Sequence, residues 1–319
     1  MDSVGNRQSA TAFLFPGQGS QYAGMGKDLA EKFPVARQVF EEADAALGFA
    51  LSEVCFHGPA EQLQLTENTQ PAILTVSVAA LRAMESEGFA APDFVAGHSL
   101  GEYSALVAAG SLSLTDAVRT VRARGRYMQE AVPVGTGAMA AILGADLDVV
   151  VAACDEASQG QVCSEANINS AGQVVIAGDS DAIDRAIVLV KERGAKRAVK
   201  LKVSAPFHCA LMKPAQERLA ADLQRISFAD LQVPLVSNVD AGEITAGAQA
   251  REALIRQVTQ PVRWLESVEF LTSHGVQSLV EIGPGKVLSG LVRQIDRNLS
   301  CVNIEDEASL RAAGEALGA

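Results

Sequence analysis

The stretch Phe94-Val95-Ala96-Gly97-His98-Ser99-Leu100-Gly101-Glu102-Tyr103 restricts what this chain can fold into more than any other. A short apolar run ends in Gly-His-Ser-Leu-Gly and passes at once into residues 102–109, which have the composition of a helix. A strand, a sharp turn and a helix thus follow one another, with Ser99 at the apex. Small residues two positions either side of the serine let the backbone take a strained turn and keep Cβ atoms out of its path. The helix then points its N-terminal N–H groups and positive dipole end at the space before the hydroxyl, where an oxyanion would form. The alternative is an ordinary tight turn whose serine caps the helix.

A turn of this kind needs a sheet around it, and 319 residues with 48% hydrophobic and 20% charged content suffice for one large core or two linked ones. Residues 1–10 lack a basic segment followed by an apolar one, so they are read as a flexible tail and not a signal peptide. No apolar run approaches the ~20 residues of a membrane span. Cys55, Cys154, Cys163, Cys209 and Cys301 are odd in number and contain no C-x-x-C pair. That pattern argues against a disulfide framework and against a zinc site, so no metal is expected and a reducing cytoplasm fits best. The net charge of -12 speaks against nucleic acid as the main partner. A local basic cluster remains at Lys191, Arg193, Lys196, Arg197, Lys200 and Lys202, either a solvated helix end and strand edge or a docking surface.

Along the chain, residues 11–15 read as a buried first strand that ends in the turn-rich Pro16-Gly17-Gln18-Gly19-Ser20-Gln21. Residues 27–47 show one helical apolar spacing with Gly48 as its stop. Gln70-Pro71 is expected to open a further buried helix, with proline in its first turn. Ser113-Leu114-Thr115-Asp116 resembles a capping box and starts a helix to about residue 131, which carries Arg119, Arg122, Arg124, Arg126 and Met128. Residues 133–137 look like a linker. After it come a strand (138–143), a helix (147–157), two strands (162–168 and 173–177), a helix (181–193) and a strand (198–203). That order is the βαββαβ pattern of a ferredoxin-like unit. Later strands are expected at 233–237 and 278–282. The fold class is therefore α/β: a large α/β-hydrolase-like subdomain with a parallel sheet (11–132 and 205–319), and an inserted ferredoxin-like subdomain (133–204). Gly17-Gln18-Gly19 and Gly283-Pro284-Gly285-Lys286 lack the further residues of a dinucleotide fingerprint or a P-loop, so no nucleotide-phosphate loop is supported.

A serine hydroxyl is a poor nucleophile near neutral pH and needs a base, most often histidine. His57 lies in a turn-like segment, and His98 adjoins Ser99, from which its side chain diverges. His208, in Ser204-Ala205-Pro206-Phe207-His208, lies on a loop that returns to the main sheet. His274 remains its rival, because α/β hydrolases place their histidine late in the chain.

Several segments together resemble the stand-alone bacterial malonyl-CoA:acyl carrier protein transacylase family. They are residues 15–21, Gly97 to Tyr103, Arg124-Gly125, Ala166-Asn167-Ile168-Asn169, Ser204 to His208, Gln257 to Trp264, and Glu281-Ile282-Gly283-Pro284-Gly285. They occur in the family's order and span nearly the whole chain. The resemblance implies a ping-pong acyl transfer in fatty acid synthesis without a cofactor, in which Ser99 attacks malonyl-CoA and His208 takes its proton. The malonyl-serine ester would then pass to the phosphopantetheine thiol of acyl carrier protein. It further implies an oxyanion hole from the backbone N–H groups of Gln18 and Leu100, and a histidine oriented by a backbone carbonyl near Gln257. Arg124 would clamp the malonyl carboxylate, with Gln257, Met128, Asn167 and Phe207 also at the substrate. Phe207 would limit room at the malonyl α-carbon and disfavour methylmalonyl. The carrier, typically acidic, would dock on the cluster containing Lys191, Lys196, Arg197, Lys200 and Lys202, and the enzyme is taken as a monomer. The alternatives are a free-standing acyltransferase of a polyketide assembly line, a serine thioesterase or lipase, and a noncatalytic scaffold that keeps the turn.

Overall fold

The computed structural model describes residues 10–318, apart from 134, 202 and 204. The main sheet holds six strands: β1 (Ala10–Phe15), β2 (Phe94–Gly97), β7 (Leu235–Val236), β8 (Glu243–Ile244), β9 (Val276–Ile282) and β10 (Ser300–Ile304). Their order is β10-β9-β1-β2-β7-β8, all parallel except the β8 edge. The second sheet holds β3 (Gly137–Leu143), β4 (Cys163–Ser170), β5 (Gln173–Asp179) and β6 (Arg197–Lys200) in the antiparallel order β4-β5-β3-β6. With helices between its first and second and its third and fourth strands, that unit has ferredoxin-like topology.

Helices cover both faces of the main sheet, which is why β1 reads as a run of four buried residues and not as an alternation. From the N-terminus they are α1 (Lys27–Lys32), α2 (Pro34–Leu47), α3 (Leu51–His57), α4 (Ala60–Gln64), α5 (Thr66–Ser86), α6 (Gly101–Ala108) and α7 (Leu114–Glu130). The inserted unit contributes α8 (Leu147–Ser158) and α9 (Ser180–Glu192). Then come α10 (Lys213–Leu223), α11 (Gly247–Gln257), α12 (Trp264–Ser273), α13 (Val287–Ile295) and α14 (Glu307–Leu317). The inserted unit keeps a core of its own, with Ala140 and Ile142 of β3 packed with Val150, Ile176, Ile183 and Val190. Because strand side chains alternate, Met139 of β3 faces the other way and joins the main core. The two units are stitched by backbone bonds from Ile168 N to Val262 O (2.9 Å) and from Val262 N to Ala166 O (2.9 Å).

Several expected boundaries are corrected. The single helix over 27–47 is two, because Pro34 forces Phe33 into an extended conformation (φ -116°, ψ 112°). Gln70-Pro71 does not open its helix: α5 begins four residues earlier and keeps Pro71 inside. Its helical register continues because most of α5 is buried, and tertiary packing outweighs the one missing N–H. The last strand of the inserted unit stops at Lys200, since the chain leaves the sheet toward the cleft. The strand expected at 233–237 reduces to two residues, paired with β2 on one side and with the equally short β8 on the other. Ala10, placed in the tail, pairs with Val276 in β1; the rest of the tail lies outside the described residues. The capping box expected at Ser113 is half present: its hydroxyl accepts from Asp116 N at 3.0 Å, but the Asp116 carboxylate accepts from that same hydroxyl (2.8 Å) and not from Ser113 N.

β1 and β2 are neighbours in register, with Phe15 opposite Gly97. Their C-terminal ends, the usual ligand-binding edge of a parallel sheet, therefore bring the Pro16–Gly19 loop and the Ser99 turn side by side.

Candidate active site

Ser99 occupies a left-handed backbone conformation (φ 52°) between β2 and α6. The flanking glycines are required by close approach. A Cβ on Gly97 would lie 2.0 Å from the Gly101 carbonyl carbon, and one on Gly101 would lie 2.0 Å from Phe15 O. The turn can be this tight only with bare backbone at both positions. Asn238, just after β7, locks it: its Oδ1 accepts from Ser99 N (2.7 Å) and its Nδ2 donates to Gly97 O (2.6 Å).

His208, also in the left-handed region (φ 59°), reaches Ser99 from the loop that leaves the inserted unit. Its Nε2 lies 2.7 Å from Ser99 Oγ and its Nδ1 2.8 Å from the Gln257 carbonyl oxygen. A carbonyl can only accept, so Nδ1 carries the hydrogen and Nε2 is left as the acceptor facing the serine hydroxyl. Burial, reinforced by the nearby Arg124 charge, pushes His208 down to about 3, which keeps the imidazole neutral across the physiological range.

Arg124 enters from α7 and is 2% exposed. Its Nη2 donates to Ser99 Oγ (3.1 Å) and Gln257 Oε1 (2.9 Å), and its Nη1 to Gln70 Oε1 (2.8 Å). Its Nε has no partner among the described residues, and no carboxylate there pairs with the guanidinium. Burial alone makes its charge harder to hold and lowers its pKa. An unpaired cation in such a place is costly and calls for an anion.

A cavity of about 140 Å³ opens over these groups, lined by Gln18, Leu100, Met128, Asn167 and Phe207 together with Ser99, His208 and Arg124. Every expected site residue thus lies at this cavity except Gln257. Gln257 sits fully buried behind it, joining Arg124 through its side chain and His208 through its backbone. His274 is not brought here: it caps the C-terminus of α12 on the surface, stacked on Phe270. His57 is an exposed residue at the end of α3 bonded to Glu53 and Lys27. His98 turns away to Asn169 Oδ1 (2.9 Å) against the Trp264 ring. Among the described residues no cluster of acidic, histidine or cysteine side chains could hold a metal ion.

Sequence reasoning missed Gln70, Asn238 and Glu102 as parts of this network. Glu102 stands inside the Ser99 motif, Gln70 was read only as a helix start, and Asn238 only follows an expected strand. Nothing local marks Gln70 or Asn238 as polar groups that would be buried.

All six basic side chains of the cluster on the inserted unit except Lys202, which lies outside the described residues, are exposed. Arg193 pairs with Glu156, and Lys200 Nζ with Asp184 at 2.9 Å. Leu201 and Val203, just after Lys200, line the cavity, so the Lys200 end of the cluster adjoins it, while Arg197 lies opposite Leu143 at the other end of β6.

The family model described as "Acyl transferase domain" matches residues 12–312. A malonyl CoA-acyl carrier protein transacylase of Escherichia coli is 52% identical over 304 residues, covering 95% of this chain and 98% of that one. Among solved structures, an acyl carrier protein S-malonyltransferase from Vibrio cholerae superposes with a TM-score of 0.94 at 50% identity, covering 96% of this chain and 100% of the other. A malonyl-transacylase solved in complex with a type II polyketide-synthase acyl carrier protein superposes equally well, with a TM-score of 0.94 at 51% identity over 97% of this chain and 100% of that one.

Proposed function

The chain belongs to the acyl transferase domain family, and from that premise we propose that it moves a malonyl group from malonyl-CoA to the phosphopantetheine thiol of acyl carrier protein through Ser99. One observation carries the choice of acyl group: the buried Arg124 guanidinium, unpaired with any described carboxylate, 3.1 Å from the nucleophile. Its planar fork suits a carboxylate held bidentately, which a lysine point charge would match less well.

In the first half-reaction Ser99 Oγ adds to the thioester carbonyl as His208 Nε2 takes its proton. The oxyanion falls to the N–H groups of Gln18 and Leu100, neither of which donates a hydrogen bond to another described residue. The C–S bond then breaks, and CoA leaves with the proton returned by His208. In the second half the carrier thiol gives its proton to His208 and attacks the ester, and Ser99 recovers its hydrogen. The Gln257 carbonyl does the orienting work that a carboxylate does in other triads. Without a buried negative charge there, the imidazolium gains less stabilisation, and the unpaired Arg124 disfavours it further until a malonyl carboxylate arrives. A substrate that brings its own anion thereby prepares the base.

Met128, Asn167 and Phe207 line the cavity, and Phe207, next in sequence to the base His208, would crowd the malonyl α-carbon. A single methyl in such a pocket is worth ~1–3 kcal/mol, so methylmalonyl-CoA is disfavoured and not excluded. All five cysteines are unpaired, as suits a reducing, cytoplasmic site of action.

The basic cluster, whose Lys200 end adjoins the cavity, is the docking face for the acidic carrier. Lys196→Glu with Arg197→Glu is expected to raise the carrier KM by about tenfold at low salt while malonyl-CoA acylation stays within about twofold. An unchanged carrier KM would remove these residues from the docking face. The function itself is tested by the intact mass of enzyme treated with malonyl-CoA. A malonyl adduct is expected on the wild type and none on Ser99→Ala; an adduct that survives the substitution, or none on either, contradicts it.

A further inference from the structure

Glu102 is fully buried in the first turn of α6, three residues after the nucleophile. Its Oε2 accepts from Gln257 Nε2 (2.6 Å) and Asn238 N (3.3 Å), while its Oε1 is buried with no partner among the described residues. Gln257 is the residue through which Arg124 and His208 are both held. Its Nε2 is fixed among three acceptors, Glu102 Oε2 (the shortest of the three bonds), Ser99 O (2.9 Å) and Asn238 Oδ1 (3.3 Å), and this orients Oε1 toward Arg124 Nη2. Were the amide reversed, N–H groups would face N–H groups at Arg124 and its oxygen would face Ser99 O and Asn238 Oδ1, so the amide has one allowed direction, and Glu102 takes the shortest bond at its N–H end.

We propose that Glu102 is a positioning residue whose uncharged carboxyl anchors the N–H end of Gln257, leaving the Arg124 charge unneutralised for the substrate, and that malonyl binding is therefore coupled to protonation of Glu102. The proposal rests on the malonyl-transfer function above. A carboxylate would be expensive here, with one oxygen unpartnered and no cation bonded to it. The charged groups that face Glu102 are Arg124 from α7, Arg256 from α11 and Asp240 from the loop after β7; Tyr103 is its buried neighbour in sequence. Burial raises Glu102 to about 7 against the hydrogen bonds from Gln257 and Asn238 and the pull of Arg124, and Asp240 adds to the rise.

When a malonyl carboxylate neutralises Arg124, that pull weakens and Glu102 holds its proton more firmly. A group whose pKa rises on binding favours the ligand when protonated. Malonyl affinity is then full below the free-enzyme pKa and declines as pH rises through it, and by reciprocity binding takes up a proton.

The test measures malonyl-CoA binding to Ser99→Ala by calorimetry from pH 6.5 to 8.5, with CoA alone as the reference because its phosphates titrate nearby. Relative to CoA, malonyl-CoA affinity is expected to fall about three- to tenfold over that range, and the fall is expected to vanish when Glu102→Gln is added. A flat profile, or the same slope in the double variant, overturns the proposal. If the double variant does not fold, proton uptake measured with Ser99→Ala in buffers of different ionisation enthalpy decides: uptake in excess of that with CoA supports the coupling, and no excess overturns it. Absence of malonyl-dependent binding at every pH would instead sink the malonyl-transfer function, so the two failures are distinguishable.

Discussion

Replacing His208 with alanine is expected to slow acylation of Ser99 by malonyl-CoA about 10²–10⁴-fold, read by rapid quench, with malonyl-CoA affinity nearly unchanged. The expectation follows from a 2.7 Å contact to the serine hydroxyl and a ring whose tautomer is set by a carbonyl that can only accept. Neither Arg124 nor His98 offers Oγ a second base: the first is a cation, and His98 turns to Asn169. A loss of less than about tenfold would remove His208 as the base. Its pH signature is distinct. With His208 held near 3, acylation should not fall as pH drops from 8 through 6.5, the range where an ordinary histidine would begin to protonate. Removing the Arg124 charge should move that acid limb upward, since the cation is one of the causes of the depression. The same burial has a stability consequence of opposite kind. Between 6.5 and about 3 the unfolded chain binds the proton that the native histidine refuses, so His208 makes the fold less stable as pH falls through that window.

Arg124→Ala is the second large effect. Truncating one partner of a buried, hydrogen-bonded charge pair costs ~2–5 kcal/mol, so kcat/KM for malonyl-CoA should fall about 30- to 4,000-fold. Acetyl-CoA, which brings no anion, should lose little or gain, because it no longer leaves a buried cation unpaired. Arg124→Lys should fall between, keeping the charge but not the fork that now bonds Ser99, Gln257 and Gln70 together. Equal losses for the two acyl groups would show that Arg124 supports the site without selecting the carboxylate.

What could be read from the sequence was what is decided locally. The Ser99 turn was legible because its glycines are demanded by backbone approach within five residues and by the strand beside them. The βαββαβ unit was legible because its alternations and helical spacings are complete and uninterrupted. Pro34 and Pro71 show the limit: the same residue broke one helix and was carried inside another, and only the burial of α5 distinguishes them. His208 could not be separated from His274 on residues alone, since its position depends on a loop returning from another subdomain. Family resemblance preferred it, and the geometry places its Nε2 on the serine. Asn238, Gln70 and Glu102 were invisible as site residues because their roles exist only once four elements distant in sequence converge. Gln257, expected at the substrate, does not line the cavity and holds two groups that do.

The claim that Ser99 is a transfer point between two thiols is tested most directly by isolating the malonyl-enzyme and dividing it between buffer and buffer with pantetheinylated acyl carrier protein. The malonyl mass should persist on Ser99 in buffer and pass to the carrier within the mixing time when it is present. Loss of malonate to water at the same rate with and without carrier would make the protein a hydrolase and contradict the account.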